Sequence, residues 1–206
     1  MSEVVLHHYP ASPYAEKVRL ALGLKGLAWK SVIIPMVMPK PDLMPLTGGY
    51  RKTPVLQIGA DIYCDTALIL RELERRFPEP TFYPNGSAGI ADAFAFWAEK
   101  FMFSPAVGVA FALGRNSDKF DDNFKADRAK FSGRDFDVAR MKVALPKLLD
   151  QLRAHLAPLD TMLSDGRKFL FGDKPGLGDL APYHCLWFIA DNAGADAPPL
   201  KDLPRL

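Results

Sequence analysis

Cysteine is scarce: Cys64 and Cys185 are the two among 206 residues. They lie far apart in apolar surroundings, which leaves no disulfide framework and no ligand or redox spacing of the Cys-x-x-Cys kind. Both are expected to be reduced core residues of a cytoplasmic protein. Long apolar runs are missing too. Nothing approaches the roughly 18 to 20 residues of a spanning helix, so no membrane association is expected. The opening MSEVVL lacks the basic-then-apolar layout of a signal peptide and reads as leading directly into a strand. Nor is there an excess of one charge. Lys and Arg number 26 against 24 Asp and Glu, a net +2, with the signs interleaved, which argues against a nucleic acid partner. Clusters of His, Cys and Asp at ligand spacing are absent as well, and no metal is expected.

What is present is ordinary in bulk, 49% hydrophobic and 24% charged, enough for one domain or two small ones. The informative stretch is Ser12-Pro13-Tyr14. Before it, Val4, Val5 and Leu6 read as a buried strand, with His7 and His8 as ordinary strand residues. After it, Val18, Ala21 and Leu22 form an apolar stripe between the charges Glu16, Lys17 and Arg19, which reads as a helix. A hydroxyl and a proline at a helix mouth suit the first turn, and the unpaired N–H groups there attract anions. By itself Ser-Pro is equally a plain N-cap.

Further along, WKSVII (29 to 34) reads as a second strand. The stretch PMVMPKPDLMPLTGGYRK follows, whose four prolines and Gly-Gly cannot carry a long regular helix. PVLQI (54 to 58) and DIYC (61 to 64) flank Gly59-Ala60 as a tight hairpin, and a helix is expected from Thr66 to Phe77 with Ile69, Leu70, Leu73 and Phe77 on one face. This order, βαβ, an irregular segment, then ββα, makes an α/β unit of four mixed strands. From Pro84-Asn85-Gly86-Ser87 onward only helices are expected, and the domain boundary is placed there. Ile90, Phe94, Trp97 and Phe101 at helical spacing predict a core stripe or a dimer face within 88 to 113. Residues 114 to 135 read as a mobile or loosely packed excursion. A long helix is expected over about 136 to 163.

The segment S-P-Y-A-E-K-V-R resembles the start of the cytosolic glutathione transferases. The likeness is to the tau-like and omega-like pattern, in which Ser or Cys precedes Pro-Phe/Tyr and a basic residue follows a few positions on. FLFGDKPGLGDLAPYHCLWFIAD (169 to 191) resembles the family's buried core helix, with Asp179 matching and Gly176 standing where the family has Ser or Thr as N-cap. The resemblance implies a thioredoxin-like α/β domain over residues 1–80 and an all-α domain over 88–206. It also implies a further helix where the chain reaches PLKDLPRL. The sequence is therefore expected either to be truncated or to lack that wall of the substrate pocket.

The resemblance assigns three stretches to glutathione. Ser12 stands at the catalytic position, where a hydroxyl donating to sulfur would favour the thiolate over the thiol; Tyr9 and Tyr14 are neighbouring hydroxyls that could compete. In Thr53-Pro54-Val55 the family's proline is cis. A cis bond would turn the N–H and C=O of Val55 outward to pair with the cysteinyl unit like an added strand. At Asp65-Thr66, the helix N-terminus and the Thr66 hydroxyl and amide would take the γ-glutamyl carboxylate, and Asp65 would pair with the amino group. Lys40 and Lys52 are candidate partners of the glycyl carboxylate. The implied function is conjugation of glutathione, as co-substrate, to a small apolar electrophile held in a pocket between the domains, by a homodimeric, cytoplasmic enzyme. A glutathione-transferase-like binding or scaffold protein is the rival, and glutathione-dependent isomerase or dehalogenase chemistry a further alternative.

Overall fold

The computed structural model describes residues 3–115, 120–203 and 205. The chain divides into two compact units, Met1–Thr81 and Phe82–Leu206.

In the first unit the strands are β1 (Val4–His8), β2 (Lys30–Ile33), β3 (Val55–Ile58) and β4 (Asp61–Cys64), and the helices are α1 (Pro13–Leu24), the single turn α2 (Met44–Thr47) and α3 (Thr66–Arg76). Strand order is β2-β1-β3-β4, with β1 parallel to β2 and antiparallel to β3, and β3 antiparallel to β4. Helix α1 forms because Pro13 occupies its first turn behind the Ser12 cap, and because Ala15, Val18, Ala21 and Leu22 bury a stripe at helical spacing. These side chains, Leu6 and Leu56 on one face of the sheet, and Ile69 and Leu73 of α3 are all completely buried, while Val55, on the opposite face of β3, packs with Ile34 and Leu43. Each such Leu or Ile is worth roughly 1.5–3 kcal/mol of burial. Gly59, at φ 62°, supplies the left-handed residue that the β3–β4 hairpin needs. Thioredoxin-like α/β architecture is therefore present as expected.

The second unit is all helical: α4 (Ala88–Trp97), a π-helical turn at Ala98–Met102, α5 (Phe103–Leu113), α6 (Asp122–Ser132), α7 (Val138–Met162) and α8 (Leu177–Ala193). The core alternative for the aromatic stripe fails here, and so does the loose excursion after it. The aromatic stripe running from α4 into the π-helical turn is not core at its ends: Ile90 is 61% and Phe101 50% exposed, with Phe94 and Trp97 half-buried between them, while the buried face through α4, the turn and α5 is Ala91, Ala95, Ala98, Met102, Ala106, Val109 and Ala110. Small residues hold that seam because neighbouring helices come close. A Cβ on Gly108 would lie 2.7 Å from Leu148 Cδ1 of α7. The expected loose excursion at 114 to 135 instead carries α6, capped by Asp121 and ended by Gly133 at φ 69°; residues 116–119 lie outside the described residues. Phe111 of α5, Phe120, Phe124 of α6, Phe136 and Phe188 of α8 form a continuous cluster, with ring centroids from 4.3 Å (Phe120–Phe124) to 5.8 Å (Phe120–Phe136). Edge-to-face contacts dominate it, the arrangement ring quadrupoles favour.

The start of α8 explains the glycine at its cap. Asp179 accepts from the Gly176 amide at 2.9 Å and the Leu170 amide at 2.8 Å, and the Leu177 amide donates to the Phe82 carbonyl at 2.8 Å. A Cβ on Gly176 would meet that same carbonyl oxygen at 2.6 Å and Pro84 Cδ at 2.7 Å. Burial pushes the Asp179 carboxyl up, against the two amides that favour its charged form. Among the described residues no helix is long and apolar enough to cross a membrane.

Candidate functional site

Sheet topology gathers the predicted residues. Strands β1 and β4 end, and β3 begins, on the same side of the sheet, where His7, Val55 and Cys64 lie in one row by register. Neighbouring strands are about 4.8 Å apart. The loop from β1 to α1, the entry to β3 and the start of α3 therefore share one end of the first unit. Two helix N-termini open there, each carrying unpaired N–H groups and the positive end of a dipole.

At the first N-terminus Ser12 is the N-cap, its Oγ accepting from the Ala15 amide at 3.2 Å. That bond uses an acceptor lone pair, and the hydroxyl proton donates to no described residue. Ser12 is only 2% exposed, so a group that takes this proton must sit in the helix mouth itself. Of the neighbouring hydroxyl residues, Tyr9 packs on the cluster of Ile34, Leu43 and Val55 with the Lys40 ammonium 5.8 Å from its ring centroid. Tyr14 lies beneath the Lys17 ammonium at the same distance.

At the second, Asp65 caps α3 by accepting from the Ala67 amide at 2.9 Å, and Thr66 is buried in the first turn. Asp65 holds φ 76°, ψ 129°, a region non-glycine residues rarely occupy and which costs on the order of 1–3 kcal/mol. Strain of that kind persists where the surroundings fix it. Tyr50, missed by the sequence reading, packs beside Val55 and Cys64 in the same cluster. Burial, with the Asp65 carboxylate close by, pushes its hydroxyl up to about 12. Burial and Asp65 also push the Cys64 thiol up, away from the thiolate form that a nucleophile needs. The one textual signal for Tyr50 is its place just after Gly48-Gly49, before the β3 entry.

The Thr53–Pro54 peptide bond is cis. Two expectations nevertheless need correcting. Val55 has no open edge to offer: it is fully buried and registered with His7 on one side and Cys64 on the other. The unpaired main chain belongs to Thr53, whose N–H and C=O bond to no described residue. Lys40, expected as a carboxylate partner, is 3% exposed, and its Nζ donates to the Arg51 carbonyl at 3.1 Å and Thr53 Oγ1 at 3.0 Å. It fastens the loop from inside. Lys52 is the exposed cation at this end, with no partner among the described residues.

The sequence matches the family model of the glutathione S-transferase N-terminal domain over residues 6–81 and that of the C-terminal domain over 142–206, together well over half of the chain. The chain belongs to the glutathione S-transferase family. A crystal structure of a GST-like protein from Pseudomonas syringae superposes with a TM-score of 0.77 at 42% identity, covering 100% of this chain and 64% of that protein. The chain thus spans less than two thirds of that relative's length. A probable glutathione S-transferase of Solanum tuberosum is 27% identical over 153 residues, 68% of this chain and 69% of its own. A glutathione transferase family member from Pseudomonas fluorescens pf-5, solved with two glutathione bound, shares the fold at a TM-score of 0.72 and 13% identity, over 99% of this chain and 85% of that one.

Proposed function

We propose that this chain binds glutathione and transfers it, as the thiolate, to a small apolar electrophile. The observation that carries this reading is the convergence at one sheet end of the Ser12 hydroxyl, the free main chain of Thr53 and the capped N-terminus of α3. Those groups suit a tripeptide with an ionisable thiol in its middle and a carboxylate at each end. The γ-glutamyl carboxylate meets the α3 N-terminus and Thr66, with Asp65 on the amino group. The cysteinyl main chain pairs with Thr53 ahead of Pro54 and Val55, and Lys52 faces the glycyl carboxylate. Lys40 keeps Thr53 in place. Ser12 donates its proton to sulfur as a hydrogen bond, and the dipole of α1 favours the charged form, so more thiolate is present at neutral pH. The thiolate forms a carbon–sulfur bond to the electrophile and a leaving group such as halide departs with the electron pair.

Calorimetry with glutathione, followed by turnover of 1-chloro-2,4-dinitrobenzene, tests the reading. Binding with turnover supports it, and absence of binding ends it. Binding without turnover on a panel of electrophiles would favour a glutathione-dependent scaffold, a second reading to which the near-complete burial of Ser12 lends weight. We further infer a homodimer, with the cytoplasm as the compartment that suits its two free cysteines.

A further inference from the structure

Arg19 has no part in the reading above, yet its guanidinium is engaged on every edge beside Ser12. It lies seven residues after the cap, two turns on and on the same face of α1, about 10 Å along the axis. From there it reaches back over the loop. Its Nη2 donates to the Pro10 carbonyl at 2.9 Å, Nη1 stands 3.1 Å from His8 Nδ1, and Nε donates to Glu16 Oε2 at 2.8 Å. Glu16 is also within 2.6 Å of Nη2.

Guanidinium groups only donate, so His8 Nδ1 is the acceptor, and the ring proton sits on Nε2. That proton is donated to Ser31 Oγ on β2 at 2.8 Å. Only Tyr9, Pro10 and Ala11 separate β1 from Ser12, and the Ser12 amide closes their turn on the Tyr9 carbonyl at 3.2 Å. Arg19 therefore binds the middle of this link, the last residue of β1 and the first turn of α1 at once. The planar fork makes this possible, because its donors point along fixed, divergent directions in a way an ammonium cannot reproduce.

We propose that Arg19 is the positioning residue for Ser12. It pins the loop of residues 9–11 to α1 and so fixes the direction in which the Ser12 hydroxyl faces the helix mouth. Its catalytic meaning rests on the reading of Ser12 as the partner of the thiolate. Its structural content does not.

The test uses the full chain with Arg19→Gln and Arg19→Lys. Amide hydrogen exchange is read without ligand, and the ultraviolet absorbance of bound glutathione thiolate is then followed against pH. Both variants should speed exchange at residues 11–15 about tenfold, as loss of charge-assisted bonds predicts, while amides of β3 and α3 keep wild-type protection. Both should also move thiolate formation to higher pH with glutathione affinity held within about twofold, because the residues assigned to binding lie elsewhere. Wild-type exchange in residues 11–15 overturns the proposal. So does a uniform rise across the first unit, which marks lost stability rather than a lost clamp, or a Lys variant that behaves as wild type, which would make charge rather than the fork responsible. Ser12→Ala run alongside separates the two readings. Unchanged thiolate formation in that variant removes Ser12 from the chemistry and overturns Arg19 as its catalytic positioner, whatever the loop does.

Discussion

At the scale of single residues, His8 gives stability a dependence on pH. Burial first, and then the Arg19 guanidinium, hold its imidazole below the ordinary value of about 6.5. The folded state then binds fewer protons than the unfolded one just below that value. The contribution is complete above about pH 6.5 and is lost as pH falls from there through the lowered pKa. Urea midpoints measured between pH 7.5 and 5 should fall for the wild type and flatten in His8→Gln; parallel curves would assign the slope to other groups. Ser12→Ala should leave glutathione bound but shift the pH–rate profile upward by about one unit, the equivalent of one hydrogen bond to a charged group. Asp65 separates strain from binding. Asp65→Ala should raise KM for glutathione more than it lowers kcat, because the γ-glutamyl end is remote from sulfur. Asp65→Gly should lose the same affinity while being more stable than Asp65→Ala, since only glycine occupies φ 76° at little cost. Equal melting temperatures for the two variants would contradict that strain.

Among the elements, α8 and α6 behave against simple propensity. Serine is as good an N-cap as glycine or better, yet Gly176→Ser should destabilise by about 1–3 kcal/mol, because the new Cβ meets the Phe82 carbonyl and Pro84. A stabilised variant would mean that the 82–84 segment yields. Phe124→Ala should cost about 3–5 kcal/mol in chemical denaturation and release α6 to fast exchange, since Phe124 is its main buried apolar side chain. These two places also show what a linear sequence conveys. The units β1–α1–β2 and β3–β4–α3 were legible because their signals are local: a cap, a proline, a Gly-Ala hairpin, a stripe within one helix. The phenylalanine cluster was not, because its members come from α5, α6, α8 and the connections beside α6, and periodicity reports only neighbours within one element. The alanine seam of α4 and α5 was hidden for a related reason. Large side chains draw the eye, whereas close helix approach is set by small ones. In the candidate site, Ser12, Thr53-Pro54-Val55 and Asp65-Thr66 were named through the family resemblance, with the main-chain pairing given to Val55. That Lys40 faces inward and Val55 is enclosed followed only from strand register and burial.

For the molecule as a whole, the outward stripe of α4 bears on assembly. Ile90 and Phe101 are 61% and 50% exposed, and Phe94 and Trp97 between them are half-buried, beside Phe171 and His155. Apolar side chains of that size, lined up on one helix, suit a two-fold contact in which the same face meets itself. Phe101→Glu should therefore convert a dimer into a monomer in sedimentation velocity with little change in thermal stability. A wild-type chain that sediments as a monomer would remove the dimer from the proposal.

The first unit keeps every candidate ligand group at one end of its sheet, and that one-sidedness has a practical corollary. The hairpin tip at Gly59-Ala60 lies at the opposite end of β3, about 10–14 Å from Val55 along the strand, and both of its residues face solvent. A fluorophore, affinity handle or surface tether attached at Ala60 would leave the two helix mouths open to the medium, so the protein could be immobilised there as a reporter of its own ligand.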